Sequence, residues 1–388
     1  PGEVARRYIE EYRKDMEALG VEPADVEPKA TDHVDQMIKL IERLLAKGIA
    51  YRVDGDVYYE VRRFPRYGLL SGKNIEELLA GARVEVDPRK RHPLDFALWK
   101  ASKEHEPAWE SPWGAGRPGW HIECSAMAIH YLGESFDIHG GGEDLIFPHH
   151  ENEIAQSETA TGKPFVRYWL HNGFVNLGAE KMSKSLGNVL TIKKLVVRHD
   201  PETLRLCLLG THYRHPLEFT EAKIAEAGRA MERFRNLFET ADRALKGPPV
   251  PGGDRNLLDE AAAHRQRFET AMDDDFNTPQ GLAALFDLAR TLHQFWSQGG
   301  SESVGSFLLV VRELQTLGQV LGLFRSGTGA RAPVDSALRE RIEGLVEARN
   351  QARIRKDWAE ADRIRRALLE LSVVLEDARE GTIWKWRP

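Results

Sequence analysis

Residues 120–220 alternate between segments with a helical apolar pattern and short strand-like runs, and this alternation restricts the folds open to the chain. The pattern predicts three helices, at 120–132, 149–161 and 203–209, and two strands, at 135–139 and 168–175. Strands separated by helices form parallel sheets, so we expect an α/β fold here. Ligands of such sheets lie beyond the carboxyl ends of the strands, where glycines 140–142 and a lysine-containing loop at 181–185 fall.

The regions on either side of this segment have other patterns. Residues 3–19 have helical character, and residues 32–48 predict an amphipathic helix. The Asp54-Gly55 pair between two apolar runs predicts a β-hairpin, and the polar, proline-rich stretch that follows indicates an inserted, partly β module. Beyond about residue 220 the pattern is almost wholly helical.

Composition and charge limit the classes of function. The chain has 388 residues and a formal net charge of −6, so a basic protein that coats nucleic acid is excluded, and any nucleic-acid contact must come from local basic faces. The sequence has no apolar run of membrane-spanning length and no signal-peptide pattern, so we expect a cytoplasmic protein with no membrane partner. Its only two cysteines, Cys124 and Cys207, predict no disulfide framework.

Cys124, His149 and Glu153 form a candidate metal site. His149 and Glu153 are four residues apart on a predicted helix and share one face, while Cys124 lies in the preceding helix–strand unit. A thiolate, an imidazole and a carboxylate are compatible zinc ligands, and the sulfur favours zinc over magnesium or calcium. His150 is a rival to His149. A second interpretation stays open, in which Cys124 is a buried apolar residue and the other two are ordinary residues at a helix start.

The loop Lys181-Met-Ser-Lys-Ser185 is a candidate phosphate site. Lys181 and Lys184, with the hydroxyl of Ser183 between them, are suited to hold a triphosphate whose charge rises as pyrophosphate leaves. Taken alone, such a loop is equally compatible with a solvated surface. The glycines 140–142 permit close approach of a nucleotide to the backbone, although they match neither the dinucleotide fingerprint nor the phosphate-binding loop.

These motifs, in this order, resemble the cysteinyl-tRNA synthetases, a family of class I aminoacyl-tRNA synthetases. The four main motifs are Trp120–Cys124 (WHIEC), His139–Asp144 (HGGGED), Phe147–Glu153 (FPHHENE) and Lys181–Ser185 (KMSKS). Further matching segments are Ala271–Pro279, Lys356–Asp362, Leu375–Asp377 and Gly381–Trp384. The resemblance therefore covers essentially the whole chain.

The resemblance implies a zinc site and an activation reaction. Cys124, His149 and Glu153 match three of the family's four zinc ligands, and the zinc takes the substrate thiol as an additional ligand. Cysteine and serine are nearly isosteric, so an apolar pocket separates them poorly and zinc separates them well. The implied reaction converts L-cysteine and ATP to cysteinyl adenylate and then transfers cysteine to the terminal adenosine of the cysteine tRNA.

The resemblance also implies roles for the other site residues. Trp120 would form a wall of the amino-acid pocket, and Lys184, with help from Lys181, would stabilise the leaving pyrophosphate. The residues implied to contact ATP are His139, Gly140, Gly141, Lys181, Ser183 and Lys184. ATP is expected to bring magnesium, and the protein is expected to act as a monomer.

The implied fold is a class I, Rossmann-like parallel sheet with an inserted connective module, followed by an α-helical bundle and a small C-terminal module. We divide the chain into five parts. They are a remnant of the first half of the catalytic domain (1–19), the connective insertion (20–117), the second half of the catalytic domain with the zinc site and the lysine loop (118–220), a tRNA-binding helical bundle (221–330) and an anticodon-recognition module (331–388).

The chain departs from the family pattern at its start. The family's fourth zinc ligand, a cysteine near the N-terminus, and the ATP-binding His-x-Gly-His signature have no counterpart in the 388 residues. We therefore expect an N-terminally incomplete chain, with half of the catalytic sheet missing, that forms the adenylate poorly by itself.

Two other functions stay open. One is the related ligase of mycothiol synthesis, which transfers activated cysteine to an amino sugar–inositol acceptor. Arginines on a predicted helix within residues 335–388 favour the synthetase over that ligase. The other is a catalytically inactive tRNA-binding paralogue. The intact lysine loop and the intact zinc ligands argue against a paralogue that has lost its chemistry.

Overall fold

The computed structural model describes residues 2–75, 77, 87–104, 106–177, 180–181, 190–246, 253–325, 336–370, 373–378 and 381–386. The chain forms two compact units. The site unit comprises Ala24–Phe174 with Tyr213–Pro216, and the bundle unit comprises Pro1–Pro23, Val175–His212 and Leu217–Pro388. Each unit has its own apolar core.

Helices dominate the described chain. The helices are α1 (Gly2–Ala18), α2 (Val34–Ala46), α3 (Trp120–Leu132), α4 (Glu151–Thr161), α5 (Ile192–Arg198), α6 (Pro201–Leu209), α7 (Glu221–Leu245), α8 (Arg255–Asp273), α9 (Thr278–Ser297), α10 (Val304–Val320), α11 (Ser336–Ile354) and α12 (Trp358–Glu370). The strands are β1 (Ala50–Val53), β2 (Asp56–Tyr59), β3 (Phe96–Ala101), β4 (Gly116–Pro118), β5 (Phe136–Gly142), β6 (Val166–Asn172), β7 (Val175–Leu177), β8 (Glu180–Lys181), β9 (Leu217–Glu218), β10 (Val373–Ala378) and β11 (Gly381–Trp386). Among the described residues, no helix is both long enough and apolar enough to cross a membrane.

In the site unit, α2 packs against α3 and α4. Val34, Met37 and Ile41 are buried there, because a spacing of three and four residues places them on one side of the helix. The helix predicted over 32–48 is therefore confirmed. It ends just before Gly48, whose φ of 67° is a left-handed conformation that glycine adopts readily after a helix.

A four-stranded antiparallel sheet in the order β1-β2-β3-β4 contributes to the same core. The predicted hairpin joins β1 to β2, and its turn residues Asp54 and Gly55 have φ angles of 50° and 85°. Positive φ at both central residues is what a two-residue hairpin turn of this kind requires. Leu98 and Trp99 of β3 are fully buried and anchor the sheet in the core.

β5 and β6 pair in parallel, as the alternation of helices and strands predicts, and Gly142 lies opposite Asn172 at the end of the pair. The observed β5 extends beyond the strand predicted at 135–139. The difference arises because the three glycines, predicted to lie beyond the strand, continue the extended backbone and pair with β6.

The single strand predicted at 168–175 is two strands, β6 and β7, with a break at Gly173. The Gly173 amide donates a hydrogen bond of 2.8 Å to the carbonyl of Tyr213. A Cβ atom at Gly173 would lie 2.5 Å from the carbonyl carbon of His215, so only glycine allows the two backbones to approach this closely. β7 then pairs with β9 in parallel and with β8 in antiparallel orientation.

In the bundle unit, α7, α8, α9 and α10 pack around a core of leucine and phenylalanine side chains, as the helical pattern beyond residue 220 predicts. Three of these helices begin at a side chain that caps the first turn. Thr220, Asp254 and Asn277 each accept a hydrogen bond from a backbone amide three residues later. Such caps satisfy amides that have no partner within the helix.

The C-terminal part of the same unit contains a β-hairpin in a region where the pattern predicts an almost wholly helical structure. α11 and α12 pack together, and the antiparallel hairpin β10–β11 follows them. Val373 and Leu375 are two residues apart, so they point to one face of β10 and join the small core formed with Ile364 and Leu368. The alternation of apolar and polar residues in β10 extends over only a few residues. It was not recognised in the sequence because it follows two long segments with helical periodicity.

Candidate metal and substrate site

The predicted metal ligands lie on two neighbouring elements of the site unit. α3 begins at Trp120 and places Cys124 at the start of its second turn. A short helical turn, Ile146–His150, holds His149 directly ahead of α4, and Glu153 lies in the first turn of α4. Because α3 packs against α4, the three side chains converge.

One potential ligand atom from each of Cys124, His149 and Glu153 lies within 4.8 Å of the other two. His149 Nε2 is 3.0 Å from Glu153 Oε1, without the geometry of a hydrogen bond. Glu153 is fully buried, and neither of its carboxylate oxygens accepts a hydrogen bond from the described part of the chain. A buried carboxylate without a donor is costly, so this arrangement suits a cation, and the mixed sulfur, nitrogen and oxygen donors suit zinc.

A second set of three candidate ligands shares Glu153. Atoms of His139, His150 and Glu153 also lie within 4.8 Å of one another. His139 Nε2 is 3.6 Å and His150 Nε2 is 4.0 Å from Glu153 Oε1. The carboxylate is therefore surrounded by imidazoles, and His149 lies nearer to it than its rival His150 does.

Two histidines that the sequence reasoning missed support this cluster. His121 Nδ1 shares a hydrogen bond of 2.9 Å with His149 Nδ1, and His171 Nε2 shares one of 2.8 Å with His150 Nδ1. The signal for His121 is its place in the WHIEC motif, three residues before Cys124. His171 has no local signal, because it reaches the cluster through the strand register that puts it opposite Gly141.

Burial controls the protonation of the cluster. Burial, with a smaller contribution from neighbouring imidazoles, lowers the pKa of His121 and of His150 to about 3, so both rings are neutral at physiological pH. Burial also raises the pKa of the Cys124 thiol to about 12, and the carboxylates of Glu153 and Glu123 add to this effect. A thiolate at Cys124 therefore requires a positive charge beside it, such as a coordinated metal ion.

Trp120 lies at the exposed side of the same cluster. Its side chain is 58% exposed, although its ring centroid is only 4.6 Å from that of His149 and 5.4 Å from that of His121. The ring thus presents an apolar surface to solvent beside buried polar groups, an arrangement common in small-molecule pockets.

The residues implied to contact ATP lie in different parts of the molecule. His139, Gly140 and Gly141 belong to β5 of the site unit. A Cβ atom at Gly141 would lie 2.9 Å from His150 Cε1, so this glycine lets the imidazole pack directly on the strand. Lys181 belongs to β8 of the bundle unit, where it pairs with Asn176 of β7. Ser183 and Lys184 lie outside the described residues.

Comparison with known proteins agrees with this architecture. A family model described as the class I (C) tRNA synthetase catalytic domain matches residues 2–229, and a DALR domain model matches residues 267–325. Methionyl-tRNA synthetase of Mycobacterium tuberculosis, solved in complex with methionyl-adenylate, has a TM-score of 0.62 at 16% identity, over 84% of this chain and 79% of that one. At this identity the likeness concerns the fold alone. Fold and matched domains together define a class I aminoacyl-tRNA synthetase, and the predicted fold class is confirmed.

Curated relatives specify the family within that class. The cysteine–tRNA ligase of Geobacter sulfurreducens is 51% identical over an alignment of length 396, which covers 98% of this chain and 81% of the relative. That of Pelotomaculum thermopropionicum is 51% identical over an alignment of length 401, which covers 99% of this chain and 82% of the relative. The chain belongs to the cysteine–tRNA ligase family, as the motifs predict.

Proposed function

We propose that this protein activates L-cysteine with ATP and transfers it to the cysteine tRNA, and that zinc held by Cys124, His149 and Glu153 selects the substrate thiol. Membership of the family implies the use of ATP, an amino acid and a tRNA. The observation that supports the zinc assignment best is the Glu153 carboxylate. It is fully buried beside a thiol and an imidazole, and no described residue donates a hydrogen bond to it.

The chain's own residues are suited to this selection. Zinc, when bound, supplies a soft Lewis acid that prefers a thiolate to a hydroxyl group. Cys124 and Glu153 contribute negative charge to the ion, and His149 contributes a nitrogen whose ring is oriented by its hydrogen bond with His121. An apolar pocket separates substrates that differ by one hydroxyl group by only about 100-fold, so direct recognition of the sulfur is the more selective solution.

The remaining site residues belong to the same proposal. Trp120 forms one wall of the amino-acid pocket, through the exposed ring that lies against His149. Lys184 and Lys181 stabilise the negative charge that develops as pyrophosphate leaves, and magnesium accompanies the ATP. The full set of proposed ATP contacts is His139, Gly140, Gly141, Lys181, Ser183 and Lys184.

The tRNA contacts complete the proposal. The five-part division of the chain assigns tRNA binding to residues 221–330 and anticodon recognition to residues 331–388. Arg365 and Arg366 of α12 are exposed, and arginine is among the residues that contact phosphate groups of nucleic acids. We further propose that the protein acts as a monomer in the cytoplasm.

Calorimetric titration of the zinc-loaded 388-residue protein with L-cysteine and with L-serine tests the selection. We expect cysteine to bind more than about 100-fold more tightly than serine. The Cys124→Ser variant is expected to lose most of this difference, because it lacks one of the proposed zinc ligands. Equal affinities of the unmodified protein for the two amino acids would contradict the proposal.

Two activity assays separate this function from the other functions open to the chain. Cysteine-dependent exchange of labelled pyrophosphate into ATP reports activation, and charging of the cysteine tRNA reports transfer. Exchange without charging would point to a ligase with another acceptor. Specific binding of the cysteine tRNA with neither activity, in a protein that also binds no cysteine, would point to the tRNA-binding paralogue.

A further inference from the structure

The start of α4 is tied to a distant segment of the site unit by a buried carboxylate. Glu151 is fully buried, and its two oxygens accept hydrogen bonds from the backbone amides of Gly68, at 2.8 Å, and of Ser71, at 3.0 Å. These donors precede it by about 80 residues in the chain. A carboxylate that accepts backbone amides at a helix N-terminus is favoured both by the bonds and by the helix dipole.

Asn152 makes a second tie to the same segment, Tyr67–Ser71, here called the clamp segment. The buried hydroxyl of Tyr67 donates a hydrogen bond of 2.5 Å to Asn152 Oδ1, and Asn152 is 2% exposed. The Tyr67 ring also meets the ring of Phe147 edge to face, with centroids 6.5 Å apart. The clamp segment thus contacts both α4 and the short turn that carries His149.

The hydrogen bonds of Glu151 and Asn152 to the clamp segment lie close in the chain to two of the candidate metal ligands. Glu151 lies two residues after His149 and two residues before Glu153. Residues two apart on a helix point about 200° away from each other, so Glu151 and Glu153 project from opposite sides of α4. Glu151 therefore acts on the ligands through the backbone between them, from the side away from the metal.

The chemistry of the two carboxylates separates their roles. Both are fully buried, yet Glu151 has two donors and Glu153 has none among the described residues. Hydrogen bonds compensate the burial of the Glu151 charge, which suits a structural tie. The uncompensated Glu153 suits a cation.

We propose that Glu151 and Asn152 are positioning residues, which hold the first turn of α4 against the clamp segment so that His149 and Glu153 keep their approach to Cys124. The inference rests on the proposed zinc function. It predicts that removing a hydrogen bond between α4 and the clamp segment weakens metal binding, although every metal ligand is still present. Changes to groups that orient metal ligands have this effect.

The test measures transfer of zinc from the purified 388-residue protein to a chromogenic chelator. Glu151→Gln keeps one acceptor oxygen and loses the other, and we expect it to release zinc about 10-fold faster than the unmodified protein. Tyr67→Phe removes only the hydroxyl that binds Asn152, so a smaller acceleration is expected. Tyr67→Phe also serves as the variant that folds if Glu151→Gln does not.

Glu158→Gln is the matched control. Glu158 lies on the same helix and pairs with Arg66, one residue before the clamp segment, and it also accepts a hydrogen bond from the amide of Phe165. We expect this variant to release zinc at the rate of the unmodified protein. A second readout is the calorimetric affinity for L-cysteine, which is expected to fall in Glu151→Gln and to stay the same in Glu158→Gln.

The outcomes distinguish the inference from the function on which it rests. If the unmodified protein holds zinc and Cys124→Ser does not, but Glu151→Gln and Tyr67→Phe release zinc at the unmodified rate, the inference is overturned and the zinc site stands. Lower melting temperatures in Glu151→Gln and Glu158→Gln with unchanged release would show a merely structural role. If the unmodified protein holds no zinc, the metal proposal itself fails, and the inference fails with it.

Discussion

Two helices that each bury seven residues, α4 in the site unit and α9 in the bundle unit, bury opposite kinds of side chain. The buried residues of α4 are Glu151, Asn152, Glu153, Ala155, Gln156, Ser157 and Ala160, whereas those of α9 are Gly281, Leu282, Ala284, Leu285, Leu288, Ala289 and Leu292. Apolar burial on α9 stabilises the fold without further partners. Burial of polar groups on α4 is unfavourable unless each group has a hydrogen-bond partner or an opposite charge.

Some of the polar groups buried on α4 have hydrogen-bond partners among the described residues, whereas Gln156 Oε1, Ser157 Oγ and both oxygens of Glu153 have none. Glu151 and Asn152 bind the clamp segment, and the side-chain amide of Gln156 donates to the carbonyl of His121 and to Ser125 Oγ. Glu153 is the charged exception, since no described residue donates a hydrogen bond to it. The comparison teaches that apolar burial explains α9 by itself, whereas the buried charge of Glu153 on α4 supports the proposed cation.

The largest effect is expected from removing the sulfur ligand. Cys124→Ser is expected to lower zinc affinity by about 100-fold or more, because a hydroxyl is a far weaker zinc ligand than a thiolate. Metal analysis after dialysis against a chelator measures it. The matched control is Cys207→Ser, at a buried position in the bundle core, which is expected to keep its zinc. Equal zinc content in the two variants would contradict the assignment of Cys124 to the metal.

The next effect, on stability alone, is expected from the apolar side of the comparison. Leu285 of α9 is fully buried, so Leu285→Ala is expected to lower the free energy of unfolding by about 2–5 kcal/mol. Leu309→Ala on α10 is the control, because that side chain is 63% exposed and its loss is expected to cost less than about 0.5 kcal/mol. Denaturant unfolding measures both. Zinc content is expected to stay unchanged, and its loss in Leu285→Ala would show that the two regions are not separable.

The smallest effect concerns two glutamates of α4, Glu151 and Glu153, and is a change in the free energy of unfolding. In metal-free protein, Glu153→Gln is expected to raise the free energy of unfolding by about 1 kcal/mol, because it removes a buried carboxylate without donors. Glu151→Gln is expected to lower it under the same conditions, because a backbone amide loses its acceptor. With zinc bound, Glu153→Gln becomes the less stable protein relative to the unmodified one. A loss of stability in both metal-free variants would contradict the assignment of Glu153 to a cation.

Much of the fold was predictable from the sequence, because long periodic segments specify their own structure. α2, α3 and the β1–β2 hairpin follow from apolar spacing and from one Asp-Gly pair. The hairpin β10–β11 was not predicted, since its alternating pattern is short and follows two long helices. The break at Gly173 was missed as well, because its cause is the backbone of His215, 42 positions later in the chain.

The candidate site was predictable to the extent that its signals are local. The four-residue spacing of His149 and Glu153 predicts that the two side chains lie together, although His149 belongs to the short turn ahead of α4, and the motif supplies Cys124. His171 depends on strand register, and the different roles of Glu151 and Glu153 depend on which side of α4 meets the clamp segment. Two glutamates two residues apart look equivalent in a sequence, and only the folded chain distinguishes the one with donors from the one without.

X-ray absorption at the zinc edge tests the central claim most directly, with the zinc-loaded protein measured alone, with L-cysteine and with L-serine. If zinc at Cys124, His149 and Glu153 selects the substrate thiol, cysteine adds one sulfur neighbour to the spectrum and serine leaves the spectrum unchanged. A spectrum that shows no added sulfur at saturating cysteine would contradict the account.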